Sequence, residues 1–180
     1  MLPHVNIIVD IKPVTRHYML DNEQGVILAL AGIVKPRVVV EVGVNIGLTA
    51  QALLEGVESI EKYYGIDVDP DYRFEIAAQQ IEYPGEPGRL VKGDPRFELI
   101  LRGNPLPTAA DFIFIDGDHG HNAVMADSKW AAEIVRPGGM VVWHDYLNPG
   151  VQVTDVLEEL QSSGRDIRRI NGTWLAFERH

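Results

Sequence analysis

The sequence predicts an α/β fold, in which a doubly wound and mostly parallel sheet carries helices on both faces and ends in an antiparallel hairpin. Strand-like apolar runs alternate with helical patterns five times, and such alternation requires right-handed crossovers between parallel strands. The segment Arg37-Val-Val-Val-Glu-Val-Gly-Val-Asn-Ile-Gly47 shows the unit most clearly, as a buried strand followed by a glycine-rich turn. Near the end, Asn171-Gly172 separates the strand-like segments 166–170 and 173–178, which predicts a hairpin that anchors the edge of the sheet.

The composition is that of one globular domain, and it argues against several classes of function. The 180 residues are 46% hydrophobic and 23% charged, which suits a single domain with a buried core. A formal net charge of −10 argues against binding of nucleic acid or of an anionic membrane through phosphate groups. Because the chain has no cysteine, it has no disulfide, thiolate nucleophile or cysteine-ligated zinc. Since the N-terminus also lacks the pattern of a signal peptide, we expect a cytoplasmic protein.

The first elements surround the glycine-rich turn. Residues 1–20 follow no clear period, so we expect an N-terminal arm or lid that covers the substrate, ahead of a single domain over residues 21–180. Asp21 as N-cap, with Gln24 three residues later, predicts a helix that ends near Val34. The strand that ends at Val42 comes next, and a helix over Leu48 to Gly56 follows the turn.

The middle of the chain repeats the pattern of a strand that ends in an acid. Tyr63 to Asp67 predicts a second strand, and Asp69-Pro70 predicts a helix from there to about Ile81. Arg89 to Asp94 predicts a third strand. Asp94-Pro95 then has the same cap-and-proline signature, which predicts a short helix to Leu101.

The last crossover is the clearest in the sequence. Asp111 to Asp116 is an apolar run between two acids, which predicts a buried fourth strand, and a helix from about Asn122 to Val135 follows. Met140 to Trp143 predicts the fifth strand, and residues 152–162 predict an amphipathic helix.

Polar side chains lie at the end of each predicted strand, at the edge where open parallel sheets bind their ligands. These side chains are Glu41, Asp67, Asp94, Asp116 and the pair His144-Asp145. Packing of the core does not account for this repetition, because an uncompensated buried carboxylate is costly. The sequence therefore predicts a ligand site at this edge. Asp118, by contrast, is expected to be exposed or to cap the next helix.

The spacing of the glycines limits the class of ligand that this turn can bind. The turn Gly43-Val-Asn-Ile-Gly47 lacks the Gly-x-Gly-x-x-Gly spacing that lets a pyrophosphate approach, so a nucleoside without phosphates fits better. Asp67 would accept hydrogen bonds from both ribose hydroxyls. Asp94 would accept from the adenine amine, cap a helix, or do both. Glu41 would act at the amino-acid end of the ligand, directly or by holding the loop.

These motifs together resemble those of class I S-adenosylmethionine-dependent methyltransferases, whose fold is a Rossmann-like sheet. The resemblance is carried by Glu41-x-Gly43-x-x-x-Gly47, the Asp67 strand end, Gly93-Asp94 and the terminal hairpin, and it covers roughly residues 20–180. It implies S-adenosyl-L-methionine as the methyl donor. The donor-binding positions that it implies are Glu41, Gly43, Asn45, Gly47, Thr49, Asp67, Val68, Gly93, Asp94 and Asp116.

Two further segments resemble one branch of that family. Phe112-Ile-Phe-Ile-Asp-Gly-Asp-His119 and Arg136-Pro-Gly-Gly-Met-Val-Val-Trp-His-Asp-Tyr146 look like the metal-dependent catechol-type and macrolide-sugar O-methyltransferases. The resemblance implies a divalent metal, Mg²⁺, Mn²⁺ or similar, bound by Asp116, His144 and Asp145. The catechol-type enzymes carry Asp-Asn where this chain has His-Asp. An imidazole favours manganese, iron or zinc, and it leaves open a metal-free site with His144 as the base.

His119 completes the implied catalytic set of His119, Asp116 and His144. It lies three residues after Asp116, where the catechol-type enzymes place a catalytic lysine. A histidine titrates near neutral pH, so it can take a hydroxyl proton as the methyl group is transferred.

We therefore expect methyl transfer to an oxygen of a small hydroxylated molecule. One alternative is a nicotinamide-dependent oxidoreductase, which the glycine spacing and the terminal hairpin oppose. Another is a non-catalytic nucleoside-binding protein, which the strand-end carboxylates oppose. The extension before the first helix is short, which suggests a small acceptor, an open site, or walls supplied by a second subunit of a homo-oligomer.

Overall fold

The computed structural model describes residue 19 and residues 22–69, 71–76 and 86–180. Within these residues the helices are α1 (Glu23–Val34), α2 (Leu48–Gly56), α3 (His121–Ile134) and α4 (Val153–Ser162). The strands are β1 (Val38–Val42), β2 (Lys62–Asp67), β3 (Phe97–Leu101), β4 (Ala110–Ile115), β5 (Val135–Trp143), β6 (Arg168–Arg169) and β7 (Ala176–Arg179).

The strands form one sheet in the order β3-β2-β1-β4-β5-β7-β6. The pairs from β3 to β5 are parallel, and β7 is antiparallel to both β5 and β6. The chain runs outward from β1 to β3 on one side and from β4 onward on the other. The predicted fold class is thus confirmed, and the order of the strands reverses between β1 and β4, where open α/β sheets bind ligands.

The sheet has a buried apolar layer on each face. One layer joins Phe112, Phe114 and Val142 to Leu53 of α2, and α1 packs on the same side. The other layer joins Val40, Ile113 and Val141 to α3 and α4. Successive strand residues point to opposite faces, so the continuous apolar runs supply both layers at once.

The predicted third strand is wrong. Residues 88–93 form turns, and the strand that pairs with β2 is Phe97–Leu101, where a short helix was expected. Asp94 does not cap a helix, because its carboxylate accepts hydrogen bonds from the backbone and guanidinium groups of Arg96. Asp94 therefore precedes β3 at the amino-terminal edge of the sheet, away from the edge that carries the other acids.

The helix predicted after Asp69-Pro70 is also wrong where the structure describes it. Residues 71–76 form a turn and bends, and the carboxylate of Asp69 accepts from the backbone N–H of Asp71 in a local turn. Asp118, which is buried, accepts from the Tyr72 hydroxyl and the Glu75 backbone N–H, and so holds this segment against the loop after β4. It also accepts from the backbone N–H of Gly120, the residue at the start of α3. Asp118 is therefore not exposed.

Both ends of the fold differ from the expectation in detail. α1 begins after Asn22, whose side chain makes no capping bond. The predicted cap Asp21 and the arm 1–20, except for residue 19, lie outside the described residues. The hairpin joins β6 to β7 through the longer loop 170–175. The type I′ turn that Asn-Gly favours needs positive φ at both residues, and of the two only Gly172 (φ 79°) has it.

The turn after β1 gives a direct test of the fold. Gly43 has φ 87°, and a Cβ atom there would lie 2.0 Å from the backbone oxygen of Asp116. We therefore expect Gly43→Ala to lower the free energy of unfolding by about 3 kcal/mol or more. Gly32, exposed in α1, has no atom within 4 Å of such a Cβ, so Gly32→Ala should instead add about 0.5–1 kcal/mol. Chemical denaturation of both variants measures this, and equal effects would contradict the close approach.

Candidate functional site

The carboxyl ends of β1, β2, β4 and β5 lie side by side because backbone hydrogen bonds continue past the strands. The N–H of Asp116 donates to Val42, and that of His144 donates to Ile115, at 2.8 and 3.0 Å. On the other side, the N–H of Gly43 donates to Ile66 at 2.8 Å. The glycine-rich turn and the strand-end side chains therefore meet at one edge of the sheet.

Asp67 holds the glycine-rich turn in place. Its Oδ2 accepts from the backbone N–H of Asn45 at 2.7 Å, and its Oδ1 accepts from that of Val68 at 2.7 Å. Asn45 and Gly47 both have positive φ, at 47° and 92°, so the turn is tightly folded over Asp67. Each carboxylate oxygen has a second lone pair, which leaves acceptor capacity for a ligand.

Glu41 lies beneath the turn and contacts the interior. Its side chain is 2% exposed, and its Oε2 makes a 2.7 Å hydrogen bond with the hydroxyl of Tyr63. Burial raises the pKa of Glu41 well above its ordinary value; the Tyr63 hydrogen bond opposes this rise, while Asp116 and Asp67 add to it. Of the two roles considered for Glu41, this contact favours support of the loop.

Asp116, His144 and Asp145 form a compact cluster at the ends of β4 and β5. Each offers one ligand atom, and these atoms all lie within 4.8 Å of one another. The Nδ1 atom of His144 is 3.2 Å from Asp116 Oδ1 and 3.2 Å from Asp145 Oδ2. Asp145 has φ 61° and its Oδ1 accepts from the side chain of Asn148, which together fix the direction of its carboxylate.

His119 reaches the same two carboxylates from the loop after β4. Its Nε2 atom is 3.3 Å from Asp116 Oδ1 and 3.1 Å from Asp145 Oδ2. Burial lowers the pKa of His119, but Asp116 and Asp145 outweigh it and the pKa is raised. The same competition between burial and the carboxylates, chiefly Asp116, raises the pKa of His144 to about 12. The pKa of Asp116 is lowered, because the two imidazoles outweigh the opposing effect of burial.

The cluster has the chemistry of a site for a divalent cation. His144 is 2% exposed, and its Nδ1 atom makes no hydrogen bond although it faces two carboxylate oxygens. Two carboxylates and one imidazole are a common donor set for manganese, iron or zinc. The residues present therefore fit the metal that the sequence suggested.

Glu23 is a site residue that the sequence analysis missed. Its side chain is fully buried, its Oε2 lies 3.0 Å from His144 Nε2, and its Oε1 accepts from the backbone N–H of Trp174 at 2.5 Å. The available signal was an acid on the buried face of α1, in line with Ile27 and Ala31 four and eight residues later.

The remaining predicted donor residues divide between the two edges of the sheet. Thr49, in the first turn of α2, and Val68, after β2, are buried beside the glycine-rich turn. Gly93 and Asp94 are not brought to the site, because they precede β3. Their predicted place beyond the third strand is taken by Arg102, Gly103 and Asn104, which line a cavity of about 430 Å³ together with Ile66, Asp127 and Trp130.

Comparison with known proteins identifies a family. A family model described as a methyltransferase domain matches residues 40–146, more than half of the chain. A search of curated proteins found no match. None of the helices in the described part of the chain has the length and apolar character to cross a membrane.

Solved structures show the same fold at low sequence identity. An O-methyltransferase from Bacillus cereus in complex with SAH is 19% identical, with a TM-score of 0.64 over 92% of this chain and 84% of that one. The O-methyltransferase TomG from Streptomyces achromogenes, in complex with SAM, is 18% identical, with a TM-score of 0.61 over 89% and 81%. A precorrin-6y C5,15-methyltransferase from Geobacter metallireducens is 12% identical, with a TM-score of 0.65 over 93% and 95%.

The pH dependence of stability tests the placement of Glu41. Because its pKa is raised in the folded chain, the folded state binds more protons above the ordinary value of 4.5, and the free energy of unfolding falls as pH rises through that window. Glu41→Gln removes this dependence, so its stability relative to the wild type should increase as pH rises above the ordinary pKa of 4.5.

Tyr63→Phe is the opposing variant, because it leaves the carboxyl buried without its hydroxyl partner. We expect its free energy of unfolding to be about 0.5–1.5 kcal/mol lower and to continue falling to higher pH than that of the wild type, because loss of the hydrogen bond raises the pKa of Glu41 further. Urea denaturation at several pH values measures all three proteins. Parallel curves for Glu41→Gln and the wild type would show that Glu41 ionises freely in the folded state.

Proposed function

Because this chain belongs to the methyltransferase-domain family, we propose that it transfers the methyl group of S-adenosylmethionine to an oxygen atom of a small hydroxylated molecule, assisted by a divalent metal. The family and the fold support S-adenosylmethionine-dependent methylation. The transfer to oxygen and the metal rest on one observation, the cluster of Asp116, His144 and Asp145 with His119 at its side.

The methyl donor is proposed to lie across the glycine-rich turn. Asp67 offers the lone pairs that its two backbone contacts leave free to the ribose hydroxyls. The cavity beyond β2 and β3, next to Ile66 and Arg102, has room for the adenine, in place of the contact first expected from Asp94. The amino-acid end would lie along the turn between Gly43 and Gly47.

The metal would be held by Asp116 Oδ1, His144 Nδ1 and Asp145 Oδ2. When bound, it would supply positive charge that favours the ionised form of the acceptor hydroxyl. A cation at this position would relieve the repulsion between the carboxylates of Asp116 and Asp145. His144 adds a buried nitrogen ligand. The imidazole favours manganese, iron or zinc over magnesium.

His119 is proposed to accept the proton of the acceptor hydroxyl at its Nε2 atom. That atom lies 3.1 Å from Asp145 and 3.3 Å from Asp116, so a hydroxyl bound at the cluster would be within reach of it. As the bond between the acceptor oxygen and the methyl carbon forms, the bond from that carbon to sulfur breaks. S-adenosylhomocysteine leaves, and the proton stays on His119.

The acceptor is proposed to approach from the side of α1. This helix begins at Glu23, whose carboxylate contacts His144, so the start of α1 lies beside the cluster. Residues 1–20 are therefore proposed as the arm that covers the acceptor. The fold itself does not select oxygen as the target, because a precorrin methyltransferase named for carbon positions shares it.

Removal of the Asp67 carboxylate tests the donor site. We expect Asp67→Ala to weaken binding of S-adenosylhomocysteine by about 1.5–3 kcal/mol, because it removes a charge-assisted acceptor and a support of the turn. Asp94→Ala is the control, because Asp94 pairs with Arg96 at the opposite edge and its loss should leave the affinity unchanged. Calorimetric titration compares the two variants. A loss of affinity only in Asp94→Ala would place the adenine at the amino-terminal edge of the sheet and contradict the proposed donor site.

Removal of the metal tests the chemistry. We expect excess chelator to abolish turnover and added Mn²⁺ to restore it. Asp116→Asn should abolish turnover while the protein still binds S-adenosylhomocysteine, and His119→Ala should lower the rate without releasing the metal. Labelled methyl donor with a panel of hydroxylated metabolites provides the assay. Full turnover in chelator by protein that contains no metal would refute the metal-assisted mechanism.

A further inference from the structure

The carboxylate of Glu23 connects three parts of the fold that are distant in sequence. It lies in the first turn of α1, with its Oε2 atom 3.0 Å from Nε2 of His144 at the end of β5 and its Oε1 atom 2.5 Å from the backbone nitrogen of Trp174. The side chain has no exposed surface. A carboxylate removed from water is costly unless its oxygens are hydrogen-bonded, and here both oxygens have a partner.

The two ring nitrogens of His144 face different environments. Nε2 points to Glu23, and Nδ1 points to the carboxylates of Asp116 and Asp145 at 3.2 Å, without a hydrogen bond. The rings of Phe114 and Trp174 lie edge-on to the imidazole, with centroids 6.5 and 6.4 Å away. The imidazole is therefore held in one plane and one orientation.

We infer that Glu23 is a positioning residue, which keeps the proton of His144 on Nε2 and thereby presents the lone pair of Nδ1 to a metal ion between Asp116 and Asp145. A metal-binding imidazole needs its second nitrogen to donate to a fixed acceptor, and a carboxylate is the strongest such acceptor. Any proton on Nδ1 is released when the metal binds, whereas the proton on Nε2 stays with Glu23. This inference rests on the metal of the proposed function.

The contact with Trp174 explains why this role requires a glutamate and not a glutamine. The two oxygens of Glu23 face different partners, the backbone N–H of Trp174 and Nε2 of His144, so with a proton on Nε2 the carboxylate accepts from both. A glutamine has an NH₂ group in place of one of these oxygens, so only one of the two positions could accept a hydrogen bond. With its oxygen on Trp174, the NH₂ group would face Nε2 and favour the tautomer whose lone pair points away from the metal site.

The wild-type protein loaded with Zn²⁺ gives the first test. Zinc is diamagnetic, so nitrogen-15 NMR of the histidine rings distinguishes coordination through Nδ1 from coordination through Nε2. We expect Nδ1 of His144 to bind zinc and Nε2 to carry a proton that exchanges slowly with water. Coordination through Nε2 would overturn the inference, and this result does not depend on how any variant folds.

Glu23→Gln gives the second test. Competition with a chelator measures its zinc affinity, and thermal denaturation shows whether it folds. We expect zinc binding to weaken about 10- to 100-fold, the range seen when an outer partner of a metal ligand is lost. Glu178→Gln is the matched control, because Glu178 is also buried and its Oε2 lies 3.1 Å from a histidine, His180, outside the cluster. It should lower stability and leave zinc affinity unchanged.

The outcomes separate the two levels of the proposal. Failure of the wild type to bind zinc, Mn²⁺ or Fe²⁺ would refute the metal in the proposed function, and the role of Glu23 with it. Normal zinc affinity and an Nδ1-bound His144 in folded Glu23→Gln would overturn the role of Glu23 alone. A purely structural role for Glu23 would lower stability in both variants and change the affinity in neither.

Discussion

The close approach of Gly43 to the backbone of Asp116 fixes the geometry of the whole site. The turn after β1 and the end of β4 come so near that a Cβ atom on residue 43 would overlap the carbonyl oxygen of Asp116. The backbone N–H of Asp116 also donates to Val42, one residue before the glycine. The loop proposed for the methyl donor and the carboxylate proposed for the metal are thus parts of one backbone contact, and this adjacency is what direct transfer of a methyl group requires.

The electrostatics of this edge follow from the same crowding. Glu41, Asp67, Asp116 and Asp145 lie around one small region in a chain whose net charge is −10. Glu41 responds with a raised pKa, to which Asp116 and Asp67 contribute. The pKa values of His119 and His144 are raised as well, because the carboxylates beside these imidazoles stabilise their charged form against the effect of burial. Such a region favours cations, and both proposed ligands, a divalent metal and the sulfonium of the donor, are positively charged.

The sequence predicted those parts of the site that depend on local pattern. Asp116 was identified because it ends a run of buried residues, and the glycine-rich turn because its flanking strand and helix were clear. Asp94 was assigned wrongly, since an Asp-Pro pair is typical of a helix start and Phe97–Leu101 is a half-buried edge strand without strict alternation. That error hid Arg102 and its neighbours, which directly follow the true third strand.

Glu23 could not be predicted in the same way, because its function depends on partners 121 and 151 residues away in the chain. The hairpin illustrates this dependence. Asn171-Gly172 alone predicted a tight turn at the edge of the sheet, remote from the chemistry. The longer loop that forms instead brings the N–H of Trp174 to Glu23, which in turn contacts His144. The C-terminal hairpin, the first helix and the end of β5 are therefore coupled through one buried carboxylate, so a change in the hairpin can reach the cluster without contacting a ligand.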